Sequence, residues 1–99
     1  MMKLLMSWNI RAGREAEYFE FWVKEFSPGL MSLGLQPSES WYTVYGDGPQ
    51  ILTGNVAEDL PTIQKILGTN EWHELMEKLG EYVTDYEQKI IQATGSFQL

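Results

Sequence analysis

Apolar and polar residues alternate at the start of the chain in the pattern of a β-strand. Between residues 3 and 10 every second position is apolar, at Leu4, Met6, Trp8 and Ile10. The positions between them form a second face that includes Ser7 and Asn9. Alternation of this kind is typical of a half-buried strand. Gly13 then interrupts the pattern, and we expect the strand to end before it.

Helical spacing replaces the alternation from residue 14 onward. At about 100° per residue, an amphipathic helix over residues 14–26 buries one apolar stripe. That stripe consists of Ala16, Phe19, Trp22, Val23 and Phe26. Phe21 falls about 160° from the centre of the stripe. Single exposed apolar residues usually have no role, but Tyr18 lies close to Phe21 on the helix. One hypothesis is therefore an exposed aromatic patch that contacts the partner's C-terminal residues or builds a higher oligomer. Ser27-Pro28 predicts the end of this helix and the start of a short second one.

Two β-rich segments flank the turn residues 46–49, which read Gly-Asp-Gly-Pro. The segments comprise residues 40–45 and residues 50–56. Asp-Gly between two strands is typical of a tight hairpin. With Asp-Gly as a two-residue loop, Trp41 lies opposite Gly54.

The second half of the chain predicts two helical segments and a last strand. Glu58 and Asp59 introduce a helix over residues 60–67, because acidic side chains suit a helix N-terminus. Asn70 is the expected cap of the next helix. Its apolar residues follow helical spacing, at Trp72, Leu75, Met76, Leu79, Val83 and Tyr86. We expect Trp72 to be a core residue and the last strand to cover residues 90–96.

The resulting order, β-α-β-β-α-β, predicts one ferredoxin-like α+β domain over residues 1–99. In this fold a four-stranded antiparallel sheet is covered by helices on one face. The expected covered face carries Leu4, Met6, Trp8, Ile10, Trp41, Leu52, Val56, Ile91 and Ala93. The expected open face carries Leu5, Ser7, Asn9, Ser40, Tyr42, Val44, Ile51, Thr53, Asn55, Ile90, Gln92 and Thr94.

The expected open face is too apolar to remain solvated. Exposed apolar patches of a few hundred Å² usually mark a partner's binding surface. Two such faces packed together would be buried and would enclose a lined cavity. We therefore predict a homodimer through the face that carries Tyr42, Thr53 and Gln92, with a small hydrophobic or aromatic ligand as a further partner.

Charge and composition exclude several classes of function. Fourteen acidic residues stand against seven basic ones, for a net charge of −7. Such a surface repels nucleic acids and anionic membranes, so neither is an expected partner. The chain has no cysteine, which excludes thiol catalysis, zinc–thiolate sites and disulfides. No segment has the ~20 apolar residues of a membrane span, and we expect a cytoplasmic protein.

Several short motifs carry a resemblance to a known group of proteins. They are Gly13 after the first strand, Glu17-Tyr18-Phe19, Tyr45-Gly46-Asp47-Gly48, Glu71-Trp72 and Val83-Thr84-Asp85-Tyr86-Glu87. In this order they resemble the dimeric α/β-barrel superfamily over nearly the whole chain. That superfamily includes antibiotic biosynthesis monooxygenases, stress-responsive barrel proteins and NIPSNAP-type domains, and the NIPSNAP-like and uncharacterised branches are the most similar. The resemblance implies a ferredoxin-like dimeric barrel.

Polar residues expected near the cavity are the candidate ligand-binding groups. They are Ser7, Asn9, Tyr42, Thr53, Asn55, His73 and Gln92. His73 is the only histidine and lies at the border between the apolar stripe and the charged face of its helix. It is a candidate general base, but a boundary position with no role is the more ordinary reading. His73 with Glu77 makes a poor ligand set for a transition metal, so we expect no metal site.

The resemblance implies haem as a candidate cofactor, but the residues of this chain disfavour it. The haem-degrading members of the superfamily use an asparagine on the first strand, a tryptophan and a distant axial histidine. Asn9 and Trp72 match the first two types. Here, however, Trp72 and His73 are adjacent and point in different directions, and Asn9 lies late in its strand. We therefore expect no cofactor.

Three functions from different classes remain open. The first is a small-molecule-binding barrel dimer of unassigned biochemical function. The second is a cofactor-independent monooxygenase or related small-molecule enzyme, in which polar and aromatic cavity residues hold a substrate carbanion. The third is a structural oligomerisation module. Arg11 and Arg14 follow the first strand and could attract an anionic substrate, although surface arginines rarely have a specific role.

Overall fold

Four antiparallel strands form one sheet in the order β2-β3-β1-β4. The computed structural model describes residues 1–44 and 46–93. Its strands are β1 (Met2–Ile10), β2 (Gln36–Tyr42), β3 (Ile51–Ala57) and β4 (Val83–Gln92). Its helices are α1 (Glu15–Phe21), a π-helical segment (Trp22–Phe26), α2 (Ser27–Ser32), α3 (Leu60–Leu67) and α4 (Asn70–Leu79). The predicted ferredoxin-like α+β fold is confirmed. Within the described ranges, no helix has the length and apolar character needed to cross a membrane.

The first helical stretch continues through Pro28 instead of ending before it. A proline ring collides with the carbonyl four residues earlier in a regular α-helix, and proline has no N–H to donate. The π-helical segment before Pro28 uses wider hydrogen bonding, in which the Ser27 N–H donates to the Trp22 carbonyl. The predicted short second helix is confirmed as α2. The predicted break before it is wrong, because the π-helical segment joins the two helices.

The π-helical segment also changes which side of this stretch is buried. Four-residue steps drift by about 40° each in a regular α-helix. An extra residue in the turn offsets that drift, so Tyr18, Phe26 and Leu30 all face the core. Phe19 and Val23, which were predicted to be buried, are 40% and 68% exposed. Ala16 is exposed as well.

The predicted aromatic patch of Tyr18 and Phe21 is therefore wrong. Tyr18 is 1% exposed and Phe21 is 3% exposed. Phe21 stacks on the ring of Tyr82 with centroids 5.0 Å apart. Neither side chain is available for a second interface.

The hairpin between β2 and β3 has a longer connection than predicted. Trp41 pairs with Leu52, and the Thr43 N–H donates to the Gln50 carbonyl at 2.7 Å. The predicted pairing of Trp41 with Gly54 is wrong by two residues. A two-residue slip keeps the same faces together, so Trp41 and Leu52 still share a face.

The faces of β3 and β2 are opposite to the prediction, whereas β1 is as predicted. In the register between β1 and β3, Leu4 pairs with Asn55 and Met6 with Thr53. Ile51, Thr53, Asn55, Ser40 and Tyr42 therefore lie on the helix-covered side. Trp41, Leu52 and Val56 lie on the open side. Both sides of β3 carry apolar residues, so its hydrophobic pattern alone does not decide the phase.

Strand β4 begins earlier than predicted. Val83 and Tyr86 belong to β4, because α4 ends at Leu79. The β1–β4 register places Ile90 and Gln92 on the helix-covered side and Ile91 on the open side, again opposite to the prediction. Of the remaining predicted face residues, Val44 and Ala93 lie beyond the strand ends, and Thr94 lies outside the described residues.

Trp8 is the centre of the core. It is fully buried, and its indole N–H donates to the Tyr18 hydroxyl at 3.0 Å. The rings of Trp22, Phe26 and Tyr86 lie within 6.2 Å of the Trp8 ring, centroid to centroid. The predicted burial of Trp72 in the core is confirmed, since Trp72 is 4% exposed.

Phe19 is exposed and Phe21 is buried, opposite to the prediction, so the two residues give a matched pair of variants. Phe21→Ala should lower the free energy of unfolding by about 3–5 kcal/mol, as expected for a truncated core phenylalanine. Phe19→Ala should cost about 1 kcal/mol, because Phe19 is 40% exposed and packs on the rings of Tyr18 and Tyr42. Urea unfolding of both variants checks this. Equal losses of stability would show that the helix phase described above is incorrect.

Candidate functional site

A groove of about 630 Å³ runs between α4 and the edge strand β4. Its apolar lining consists of Trp72, Met76, Leu79, Val83 and Tyr86. Its polar lining consists of Arg11, Thr84, Asp85 and Gln88. Pockets for small organic ligands are typically about 300–1,000 Å³, mainly apolar, and supplied with a few polar groups. The groove has all of these properties.

A β-bulge in β4 shapes the polar end of the groove. The β1–β4 register shifts between Ser7 and Asn9, where β4 contains one extra residue. Asp85 in the bulge has a φ of 57°, the only positive φ of a non-glycine residue in the described ranges. Aspartate tolerates this conformation when its short side chain bonds locally. Asp85 Oδ2 accepts hydrogen bonds from Asn9 Nδ2 at 3.0 Å and from Thr84 Oγ1 at 3.2 Å.

The bulge also determines where Tyr86 points. The Tyr86 ring stacks on Trp8 with centroids 5.9 Å apart and an angle of 15° between the planes. Bulges commonly redirect a side chain in this way. The Tyr86 hydroxyl donates to Gln88 Oε1 at 2.7 Å. A single extra residue thus brings Tyr86 from the strand into the lining of the groove.

Asn9 holds three strands together rather than standing free in a cavity. Its Oδ1 accepts a hydrogen bond from the Gln50 N–H at 2.9 Å, while its Nδ2 binds Asp85. Gln50 Oε1 in turn accepts from the Ile10 N–H at 2.6 Å. Asn9 therefore connects the start of β3 to the bulge of β4 across the end of β1.

Two buried tyrosines stay protonated at neutral pH. Burial raises the pKa of Tyr18 to about 12, and the Trp8 hydrogen bond offsets only part of that effect. Burial likewise raises the pKa of Tyr86. A phenol with a raised pKa is a poor base at neutral pH. Tyr86 therefore offers the groove an aromatic face and a neutral hydroxyl.

Arg11 and Arg14 brace the turn that joins α4 to β4. Arg11 Nη2 donates to the Gly80 carbonyl at 3.0 Å. Arg14 Nε pairs with Glu17 at 2.8 Å, and the Arg14 guanidinium lies 4.9 Å from the centroid of the Tyr82 ring. These contacts give both arginines a structural role. Arg11 also lines the polar end of the groove.

The open face of the sheet is the second surface of interest. Its residues form three rows across the strands in the order β2, β3, β1, β4: Gln36-Val56-Lys3-Ile91, Glu39-Gly54-Leu5-Lys89 and Trp41-Leu52-Ser7-Glu87. Two lysines and two glutamates make these rows electrically neutral in a protein with a net charge of −7. Two shallow depressions of about 290 and 250 Å³ lie on this face.

An ion pair crosses the open face above Gly54. Lys3 Nζ lies 2.8 Å from Glu39 Oε1, and the two side chains are only 9% and 27% exposed. A Cβ at position 54 would collide with the Glu39 carboxylate. The missing side chain of Gly54 therefore makes room for the pair. Gly54 lies on the open side, and its neighbours Thr53 and Asn55 face the helices.

The predicted ligand-binding residues do not converge on one site. Ser7 lies on the open face, Asn9 at the bulge and His73 on the exposed side of α4. Thr53 and Asn55, each 1% exposed, lie beneath the helices, and Gln92 is at the far end of β4. Tyr42 contacts the Phe19 ring at 5.8 Å on the helix-covered side. The expected dimer face carrying Tyr42, Thr53 and Gln92 is therefore wrong.

The sequence pattern predicts only a packing role for the groove residues. Trp72, Met76 and Leu79 fit an apolar helical stripe, and nothing in that stripe indicates that they also line a groove. The available signal was Thr84-Asp85, a polar pair between the apolar residues Val83 and Tyr86. Within residues 1–44 and 46–93, no three His, Asp or Glu side chains form a group able to hold a metal ion.

Comparisons with known proteins support the fold. No family model and no curated protein matches the sequence. An uncharacterised NIPSNAP domain protein from Burkholderia xenovorans superimposes with a TM-score of 0.73 at 12% identity, covering 99% of each chain. A dimeric protein of unknown function with a ferredoxin-like fold, from Bacteroides fragilis, gives a TM-score of 0.65 at 12% identity, covering 93% of this chain and 95% of that one.

A third similar structure is that of a candidate antibiotic biosynthesis monooxygenase from Nitrosomonas europaea. It gives a TM-score of 0.67 at 7% identity, covering 94% of this chain and 98% of that one. At identities this low, the superpositions show a shared fold alone. The structural resemblance predicted from the sequence is confirmed at that level.

The conformation of Asp85 can be tested by three substitutions. Asp85→Ala loses the Asn9 bond and retains a left-handed φ, which costs roughly 1–2 kcal/mol for an ordinary residue. Asp85→Gly loses the same bond without the backbone cost, so it should be about 1 kcal/mol more stable than the alanine variant. Asp85→Asn should be close to the parent protein. If chemical unfolding gave equal stabilities for alanine and glycine, the left-handed bulge would be refuted.

Proposed function

We propose that the protein binds a small organic ligand in the groove between α4 and β4 and acts as a homodimer. One observation carries the first part of this proposal. The groove is large enough for a small molecule, mainly apolar in its lining, and carries polar groups on a bulged strand. Bulges are over-represented next to binding and active sites.

The lining indicates an apolar or aromatic ligand with one polar end. Trp72 and Tyr86 supply aromatic surface, and Met76 supplies a flexible apolar side chain that adapts to ligand shape. Arg11 and Asp85 stand at the polar end and offer a donor and an acceptor. A ligand with a planar body and a hydroxyl, amine or carbonyl group fits this chemistry.

The groove favours binding over catalysis. Tyr86 remains a neutral phenol. Asp85 is the only acidic residue in the lining, and its Oδ2 is already held by Asn9 and Thr84. His73, the other candidate base, lies on the exposed side of α4. A chain without disulfides needs no oxidising compartment, and we propose a cytoplasmic binding protein.

The homodimer is proposed through the open face of the sheet. This face is neutral, so two copies meet without the repulsion that the acidic remainder of the surface would produce. It also carries Leu5, Trp41, Leu52 and Ile91, with Trp41 56% exposed in the protomer. Buried tryptophans commonly dominate the binding energy of such contacts.

The edges of the sheet suggest how the two faces meet. β2 and β4 are both edge strands. A two-fold axis parallel to the strands places β2 of one copy beside β4 of the other at both edges. Eight strands then close into a barrel, which removes every open edge.

A bulky substitution in the groove tests ligand binding. Gln88→Trp fills the groove from β4, whereas Gln64→Trp places the same exposed side chain on α3 as a control. N-phenyl-1-naphthylamine is a suitable neutral aromatic probe. Its fluorescence titration should show one saturable site per protomer, weakened at least about tenfold by Gln88→Trp only. Unchanged binding in that variant would place the site elsewhere, and oxygen uptake with a quinol substrate would favour the monooxygenase function.

Neighbouring residues of β2 test the dimer face. Trp41 points to the open side and Tyr42 to the helix-covered side, with similar exposures of 56% and 49%. Trp41→Glu should weaken the dimer at least about thirty-fold, the loss typical of an interface hot spot. Tyr42→Glu should leave it intact. Sedimentation equilibrium measures both, starting from a protomer of 11.4 kDa. A wild-type monomer at micromolar concentration would contradict the dimer.

A further inference from the structure

Lys89 is a lysine of the open face that forms no ion pair with another described residue. It is exposed. It shares a row with Glu39, but three strand spacings separate their backbones by about 14 Å. The row reads Glu39, Gly54, Leu5, Lys89 from one edge of the sheet to the other.

The Glu39 carboxylate has a defined position on β2 and can accept a second cation. Glu39 is the only residue of β2 that is not exposed. Lys3 approaches it from the neighbouring row, and the Glu39 side chain remains 27% exposed. A carboxylate has two oxygens and can accept bonds from two cations.

The proposed two-fold axis brings these two charges together. An axis parallel to the strands keeps each residue at its own row and reverses the order of the strands. Glu39 then meets the partner's Lys89, and Gly54 meets the partner's Leu5. Opposite charges face each other, and a large side chain faces a residue that has none. Symmetry repeats both contacts at the other edge.

We infer that the partner's Lys89 pairs with Glu39, so that each end of the barrel row contains a Lys3–Glu39–Lys89 triad built from two chains. This inference rests on the homodimer proposed above. The triad selects the orientation of the two sheets. An axis perpendicular to the strands through this row would place Glu39 against Glu39 and Lys89 against Lys89. The same axis moved by half a row would pair Lys89 with the partner's Glu87 and leave the sheet edges open.

Charge reversal and charge exchange distinguish these arrangements. Lys89→Glu should weaken the dimer at least about tenfold, because it places two carboxylates together at two symmetric sites. Lys65→Glu makes the same change of net charge on exposed α3 and serves as the control. The triple variant Lys3→Glu, Glu39→Lys and Lys89→Glu reverses all three charges of the triad, so it restores opposite charges across the interface without placing a second lysine beside Lys3. It should bring the dissociation constant back to within about threefold of the parent.

Sedimentation equilibrium provides the dissociation constants, and circular dichroism confirms that each variant is folded. Recovery of the dimer in the triple variant, but not in the double variant Lys89→Glu with Glu87→Lys, is the expected result. Rescue by Glu87→Lys instead would overturn the triad and support the perpendicular axis. A wild-type dimer that is insensitive to Lys89→Glu would overturn the triad alone. A wild-type monomer would overturn the proposed dimer and the triad with it.

Discussion

The packing of Trp8 determines the rest of the structure. Trp8 lies in the central strand β1, is fully buried, and joins the sheet to the first helical stretch through its hydrogen bond to Tyr18. Because side chains alternate along a strand, burying Trp8 under the helices sends Ser7 to the opposite side. The registers of β3 and β4 against β1 then assign every other sheet residue to the covered or the open face. The groove, the bulge and the ion pair all follow from that assignment.

The order of the elements was predictable because it depends on local patterns. Glycine, proline and a change from alternating to helical spacing mark the elements of the first half. The phase of β3 was not predictable, because Ile51 and Leu52 are equally apolar. On the open side Gly54 lies under the Glu39 carboxylate, a contact with another strand that no local pattern contains. The predicted phase of the first helix is wrong because the π-helical segment Trp22–Phe26 interrupts regular α-helical spacing, so that Phe26 shares the buried side with Phe21 and not with Phe19.

The candidate site was harder to predict than the fold. Val83 and Tyr86 continue the helical stripe of α4 in the sequence, yet they belong to β4. The turn from α4 to β4 is held by Arg11, and the bulge in β4 depends on an Asp85 conformation supported by Asn9. These residues are distant in sequence, so no local pattern contains the groove. Most of the predicted ligand-binding residues share one predicted face of the sheet. They do not lie together, because β2, β3 and β4 present the opposite faces to those predicted.

We propose that one face of the sheet is left for a second copy of the chain. Hydroxyl-radical footprinting tests this directly, because Trp41 and Met31 are similarly exposed in the protomer, at 56% and 60%, on opposite sides of the molecule. At concentrations above the dissociation constant, Trp41 should be protected from oxidation while Met31 remains reactive. Dilution should restore the oxidation of Trp41. If Trp41 were oxidised at the same rate at every concentration, the open face would be solvated and the account would be contradicted.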